Sequence, residues 1–192
     1  MGCAGLLLTG GSSRRLGIDK ATLVVHGERL VDRSARVLGA VCDPVIEVGP
    51  GRGRAQSVRE TPPGGGPLAA LGAGASALAD RGYEGAVLVL AVDLPAIDAG
   101  VLTWLAEHPA RSTVVPIVDG IAQSLCARYG ADALAAVPAL LVAGERSLRA
   151  LLAAVPVHEA HADEWGAVAS SSVFADVDTP ADDARAGIEW PG

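Results

Sequence analysis

Lysine is almost missing from this 192-residue chain: Lys20 stands alone beside fourteen arginines. Aromatic residues make up only 3%, which excludes a core built on ring packing and leaves Ala, Val and Leu to fill the interior, as suits helices laid on a parallel sheet. Positive charge is scarce. A formal charge of −7 argues against a nucleic-acid-binding surface, although a local basic loop can still take a mononucleotide. The three cysteines, Cys3, Cys42 and Cys126, contain no Cys-x-x-Cys pair, which excludes a zinc or disulfide framework and points to reduced thiols and a cytoplasmic location. No apolar run approaches the roughly 18 residues of a membrane span, and no charged region precedes the short N-terminal apolar stretch. Leu6 stands where a myristoylation motif wants Ser or Thr. The expectation is a soluble protein with neither membrane nor nucleic acid as partner, its residues 1–192 forming a single domain with a substantial core.

Apolar runs over residues 5–8, 45–48, 86–92, 113–118 and 173–177 read as strands. Ala/Leu-rich stretches with helical spacing over 30–41, 68–79, 99–107, 131–141 and 147–154 read as helices. Their alternation predicts a three-layer α/β/α sandwich on a mostly parallel sheet. Asp119-Gly120 is a hairpin signal, and residues 123–129 are the returning strand of one antiparallel excursion. Pro62-Pro63-Gly64-Gly65-Gly66-Pro67 fits neither helix nor central strand and forms a loop leading into the next helix.

The run Leu8-Thr9-Gly10-Gly11-Ser12-Ser13-Arg14-Arg15-Leu16-Gly17-Ile18-Asp19-Lys20 directly follows the first apolar stretch. Glycines that lack side chains let backbone N–H groups approach a polyphosphate. Ser13 adds a hydroxyl, Arg15 a forked cation and Lys20 a compact ammonium, which is not interchangeable with guanidinium at a crowded phosphate oxygen. The glycines alone would read as a turn; the whole string reads as a phosphate site. Its spacing is that of neither a P-loop nor a dinucleotide fingerprint.

Two further segments end apolar stretches in carboxylates. Asp93 closes Val87-Leu88-Val89-Leu90-Ala91-Val92, at the carboxyl edge of a sheet where α/β ligands bind. It can hold Mg²⁺, or serve only as a helix N-cap or turn aspartate before Pro95. Asp176 and Asp178 precede Thr179-Pro180, where a helix cap is the alternative. His158 and His161 have a His-x-x-His spacing without a third ligand close in sequence, and read as a surface pair.

The Leu8–Lys20 string resembles the signature L-x-G-G-x-S-x-R-x-G-x-D-K of the molybdenum cofactor guanylyltransferase family, within the nucleotidyltransferase superfamily. Leu8, Gly10, Gly11, Ser13, Arg15, Gly17, Asp19 and Lys20 fall on its positions, with Leu16 in place of a common Met. Residues 174–180 resemble the family's F-x-N-x-N-T-P, with Asp176 and Asp178 where asparagines are usual. Glu60 and the loop through Gly66, Pro67 and Leu68 resemble D-x-x-P-G-x-G-P-L-A-G, a stretch near base and ribose, with Glu replacing Asp. Residues 119–129 resemble R-x-Q-P-L-x-A-L-Y-R, Ser124 standing for the proline, and residues 143–148 resemble A-G-E-R-x-L.

The resemblance implies a nucleotide-diphospho-sugar transferase-like fold and Mg²⁺-dependent transfer of GMP from GTP to the phosphate of molybdopterin or molybdenum cofactor, with release of pyrophosphate. Lys20, Arg15 and Asp93 would be catalytic. Leu8, Thr9, Gly10, Gly11, Ser13, Lys20, Glu60, Gly66, Pro67, Leu68 and Asp93 would bind the nucleotide. Asp93 with Asp178 or Asp176 would hold the metal, and Gln123, Ser124 and Arg146 the acceptor. Partners beyond GTP and the molybdenum cofactor would be limited to transient contact with cofactor-delivering proteins. In this family glycines at positions 10 and 11 accompany guanine, whereas relatives with Ala-Gly there more often use CTP. A related transferase using CTP or a sugar-phosphate acceptor, or an inactive nucleotide-binding module, are the alternatives. Sugar-phosphate relatives usually carry G-x-G-T-R, and this chain has Ser-Ser-Arg-Arg.

Overall fold

The structure, a computed structural model, describes residues 2–10, 19–176 and 188–189. The chain opens with strand β1 (Cys3–Leu8), buried at every position. A tight hairpin of β2 (Val24–Val25) and β3 (Glu28–Arg29) leads into helix α1 (Leu30–Gly39). Strand β4 (Cys42–Val48) and edge strand β5 (Gln56–Val58) follow, then α2 (Pro67–Ala79) and β6 (Val87–Ala91). Next come α3 (Ala99–Glu107), β7 (Thr113–Val118), β8 (Ile121–Ala122), β9 (Cys126–Tyr129), α4 (Ala131–Val142), α5 (Leu148–Ala154), β10 (Val157–Ala160), α6 (Ala162–Trp165) and β11 (Ile188–Glu189).

The main sheet runs β10-β7-β9-β6-β1-β4-β5, with β8 paired to β7. Strands β1, β4, β5 and β6 are parallel neighbours, as are β7 and β10, while β9 runs antiparallel between β6 and β7. A second, three-stranded sheet joins β11, β2 and β3. β1 carries an unbroken apolar run because both its faces are covered. One face packs on α1, α3 and α6 through Leu30, Leu38, Val101, Leu105 and Trp165, and the other on α2, α4 and α5 through Leu68, Leu71, Val137 and Leu151. Each such large side chain, fully buried, contributes on the order of 1.5–3 kcal/mol. The three-layer α/β/α sandwich read from the sequence is therefore present.

Local chemistry sets the element ends. Asp98 caps α3 by accepting the N–H groups of Gly100 (2.9 Å) and Val101 (3.2 Å). Pro67 opens α2, where its missing N–H costs nothing. Two expectations need correction. The segment expected to be a strand over 173–177 forms a 3-10 turn over Ser171–Phe174 as far as it is described. That turn buries Val173 and Phe174 together and sets Phe174 edge-on to Trp165 at 5.3 Å, whereas a strand would send adjacent side chains to opposite faces. The returning strand expected over 123–129 is two pieces. Ile121 and Ala122 pair with β7, residues 123–125 turn, and only Cys126–Tyr129 enters the sheet, against both β6 and β7.

Candidate active site

The chain leaves β1 for β4 through α1 on one face of the sheet and returns to β6, on the other side of β1, through α2 on the opposite face. The carboxyl ends of β1 and β6 are thus a topological switch point, where diverging connections leave a crevice. The hydrogen-bond ladder runs one residue past both strands. Thr9 N–H donates to Val48 O (3.0 Å) and Val92 N–H to Leu8 O (3.1 Å). Gly10 and Asp93 consequently emerge side by side.

Lys20 enters the same crevice from the other end of the glycine-rich segment. Its Nζ lies 3.4 Å from Asp93 Oδ2, with Lys20 15% and Asp93 24% exposed. That separation is longer than the roughly 2.7–2.9 Å of a tight ammonium–carboxylate bond and still within hydrogen-bonding reach. Lys20 stands in a single 3-10 turn, Lys20–Thr22, whose N-cap Asp19 accepts Ala21 N–H through Oδ1 at 3.1 Å. The second oxygen of Asp19 accepts from Arg52 Nε at 2.8 Å.

Leu8 and Thr9 are buried at the head of the loop, and Thr9 Oγ1 donates to Glu47 Oε1 at 2.7 Å. Gly10 is exposed, and a Cβ there would lie 3.8 Å from Glu60 Oε1. Glu60 is buried and accepts Gly64 N–H (2.9 Å), which folds the Pro/Gly loop back toward Gly10. Gly66, with φ of 91°, precedes Pro67 and buried Leu68 at the start of α2, and Leu68 N–H donates to Arg146 O (3.1 Å). The exposed Arg146 is thereby placed beside the Gly66–Leu68 loop.

Gln123 and Ser124 belong to the turn over the carboxyl end of β6, where the next carbonyl, Leu125 O, accepts Ala91 N–H at 2.8 Å. The Ser124 carbonyl is held by the Tyr129 hydroxyl at 2.7 Å. Beneath this turn, burial pushes the Cys126 thiol up to about 12. Cys126 stays a protonated thiol and is no nucleophile. Asp176 is exposed after the 3-10 turn. Gly11, Ser13, Arg15 and Asp178 lie outside the described residues.

Sequence reading missed Glu47, Arg52 and the part played by Asp19. Glu47 is completely buried, with Arg52 N–H (2.7 Å) and Gly53 N–H (2.8 Å) as donors besides Thr9. Its signal was a lone acid inside the apolar run Val45-Ile46-Glu47-Val48.

A second polar cluster lies at the opposite edge of the sheet, where β7 begins. His158 Nε2 is 2.8 Å from Glu164 Oε2, and His108 Nε2 is 3.5 Å from the same oxygen. Folding thus supplies the neighbours that the His-x-x-His spacing lacked, while His161 N–H donates to Glu164 Oε1 at 3.3 Å. These three side chains are the candidate metal-holding group among the described residues. Ala110 N–H donates to His108 Nδ1 at 3.2 Å. A neutral His108 accepting there carries its proton on Nε2 and donates to Glu164, so that nitrogen has no lone pair for a metal.

Comparison with known proteins shows the family and the fold. The family model described as the MobA-like NTP transferase domain matches residues 5–165. A "probable molybdenum cofactor guanylyltransferase" of Opitutus terrae is 39% identical over 164 residues, covering 79% of this chain and 78% of the relative. A protein of the same description from Mycobacterium marinum is 32% identical and covers 92% of each chain. Among solved structures, molybdopterin-guanine dinucleotide biosynthesis protein A of Archaeoglobus fulgidus superposes with a TM-score of 0.79 over 96% of each chain at 22% identity. A 2-C-methyl-D-erythritol 4-phosphate cytidylyltransferase of Thermus thermophilus gives 0.69 at 16% identity, over 97% of this chain and 98% of the other. Both share the fold.

Proposed function

Because the chain belongs to the MobA-like NTP transferase family and is a nucleotidyltransferase, we propose that it transfers GMP from GTP to the terminal phosphate of molybdopterin or molybdenum cofactor. The observation that carries this reading is the 3.4 Å approach of the chain's one lysine to Asp93 across the carboxyl ends of β1 and β6. A phosphate oxygen of the acceptor attacks the α-phosphorus of GTP in line. The new P–O bond forms as the bond to the β-phosphate oxygen breaks, and pyrophosphate leaves. Lys20 and Arg15 balance the charge on the departing oxygens. No covalent nucleophile takes part.

The backbone at Thr9, Gly10 and Gly11 and the hydroxyl of Ser13 bind the triphosphate in this reading. Glu60 and the Gly66, Pro67 and Leu68 loop contact base and ribose, and Gln123, Ser124 and Arg146 orient the acceptor. The donor set suits Mg²⁺, which is held by one or two carboxylates plus substrate phosphates. Asp93 with Asp178 or Asp176 would hold it, and when bound it supplies neutralisation of the charge that develops between the phosphates. Among the described residues no helix is long and apolar enough to cross a membrane, which is compatible with a cytoplasmic reaction on free nucleotide by a single-domain enzyme.

The test is pyrophosphate release by purified protein with GTP, Mg²⁺ and molybdopterin, with mass analysis of the product. A guanine dinucleotide of the cofactor is expected. Release without acceptor, or no release with it, contradicts the assignment.

A further inference from the structure

Glu47 is a carboxylate at 0% exposure in a strand of the central sheet, an expensive placement unless its oxygens are well supplied with donors. It receives three. Oε1 accepts from Thr9 Oγ1 (2.7 Å) and Arg52 N–H (2.7 Å), and Oε2 accepts Gly53 N–H at 2.8 Å. The surroundings are cut to fit. A Cβ on Gly49 would stand 2.3 Å from Thr9 Oγ1, and one on Gly53 would stand 3.0 Å from Glu47 Oε2. Those glycines make room for the carboxylate and its donors.

The two ends of the glycine-rich segment therefore rest on one short stretch of chain. Thr9, its entrance, is fastened to Glu47 directly. Its exit is fastened through Arg52, whose backbone N–H is on Glu47 while its side chain reaches Asp19 at 2.8 Å. The other oxygen of Asp19 caps the turn that carries Lys20.

We propose that Glu47 and Arg52 are positioning residues that set Lys20 against Asp93, and so tune turnover without touching substrate. The proposal rests on the guanylyl-transfer reading for its kinetic consequence, while its structural consequence can be read separately. Arg52 is 49% exposed and Asp19 32%, so a static surface ion pair here would contribute little to stability. A pair that fixes the geometry of a catalytic cation instead affects rate, since a displacement of about 1 Å costs up to about a hundredfold.

The experiment uses Arg52→Ala, Arg52→Lys and Glu47→Gln, each with Lys20 intact and in a Lys20→Ala background. Arg52→Ala is expected to lower kcat about tenfold with little change in KM for GTP, and Arg52→Lys to recover part of that loss. In the Lys20→Ala background Arg52→Ala is expected to cost nothing more, because the group it acts through is gone. Additive losses in the two backgrounds, or a change confined to KM, would overturn the proposal. Glu47→Gln, which keeps shape but turns an amide donor toward donors, is expected to follow Arg52→Ala; its failure to fold leaves the Arg52 variants decisive.

A readout independent of activity uses the single lysine. A ¹⁵N label on lysine Nζ reports Lys20 alone, and its signal is expected to move toward that of free lysine in Arg52→Ala. An unchanged signal in Arg52→Ala refutes the positioning role even in a protein inactive with GTP. Inactivity of the wild type together with a shifted signal refutes only the reaction.

Discussion

The sheet carries a polar cluster at each edge. At the carboxyl ends of β1 and β6, Lys20 and Asp93 face each other at 3.4 Å beside exposed Gly10. At the amino end of β7, His108, His158 and Glu164 close on one another, with Glu164 Oε2 within reach of both imidazoles and Ala110 N–H donating to the far nitrogen of His108. The first cluster is held from behind by Glu47, Arg52 and Asp19, and its two charged groups meet across the carboxyl ends of β1 and β6. The second shares one carboxylate oxygen between two imidazoles. The two clusters thus differ in how they are supported: the first is braced by a buried carboxylate and an ion pair outside it, the second by one acid shared between two imidazoles.

The sharpest way to break this contrast is Asp93→Asn, which removes charge without changing shape. It is expected to lower turnover by several orders of magnitude with the thermal unfolding midpoint nearly unchanged. If the rate and its Mg²⁺ dependence survive in a steady-state pyrophosphate assay, Asp93 is only a turn residue. Lys20→Arg is expected to be nearly as damaging as Lys20→Ala, because a planar fork does not replace a compact ammonium among phosphate oxygens. Comparable kcat/KM for Lys20→Arg and wild type would remove the lysine from the chemistry.

Gly10→Ala is a finer probe. The added Cβ meets its nearest neighbours at 3.7 Å or more, Gly49 first and then Glu60, ordinary contacts the protein accommodates. The variant is expected to fold as the wild type does and to lose GTP affinity, eroding the preference over CTP; equal losses for both nucleotides by titration would place the base elsewhere.

The opposite edge is expected to respond to pH instead of to substrate. Burial, the largest cause, holds the His108 pKa below the ordinary imidazole value, the Glu164 hydrogen bond opposing it and the His158 charge reinforcing it. Trp104 from α3, Arg128 from β9, His158 from β10 and Glu164 from α6 are its polar and aromatic neighbours. A depressed histidine binds its proton more readily when unfolded, so this contribution to stability is present above about pH 6.5 and is lost as pH falls through that value. The Glu164 carboxyl, held low chiefly by the His158 hydrogen bond, adds a loss at still lower pH. The unfolding midpoint is expected to drop between pH 7.5 and 5.5, and less so in His108→Gln. A pH-independent midpoint in the wild type would contradict the burial argument. Turnover of His158→Ala at pH 7.5 is expected to stay within about twofold of wild type, the surface default.

Strands covered on both faces were legible as apolar runs: β1, β4, β6 and β7 lie where the pattern puts them, and the helix over 99–107 coincides with α3. Edge strands were not. Among the described residues β5 (Gln-Ser-Val) and β10 (Val-His-Glu-Ala) are paired on one side only, and both carry polar residues that break the pattern. Lys20 and Asp93 were legible because local chemistry marks each, a lone ammonium after glycines and a carboxylate after a buried strand. Glu47 and Arg52 were not, because their meaning arises only when β4 is laid against β1 and Arg52 meets a residue 33 positions away.

Under the proposed function, the site at the carboxyl ends of β1 and β6 selects guanine and transfers its nucleotide. Buried hydrogen bonds to a base edge reject a mismatched base strongly, because the mismatch leaves them unpaired. The most direct measurement is competition between GTP, CTP and ATP at equal concentrations, with Mg²⁺ and molybdopterin, read as dinucleotide product. A GTP preference of at least about a hundredfold in kcat/KM, about 2.7 kcal/mol in the transition state, is the expected result. Comparable product from CTP would contradict it and move this chain to cytidylyl transfer.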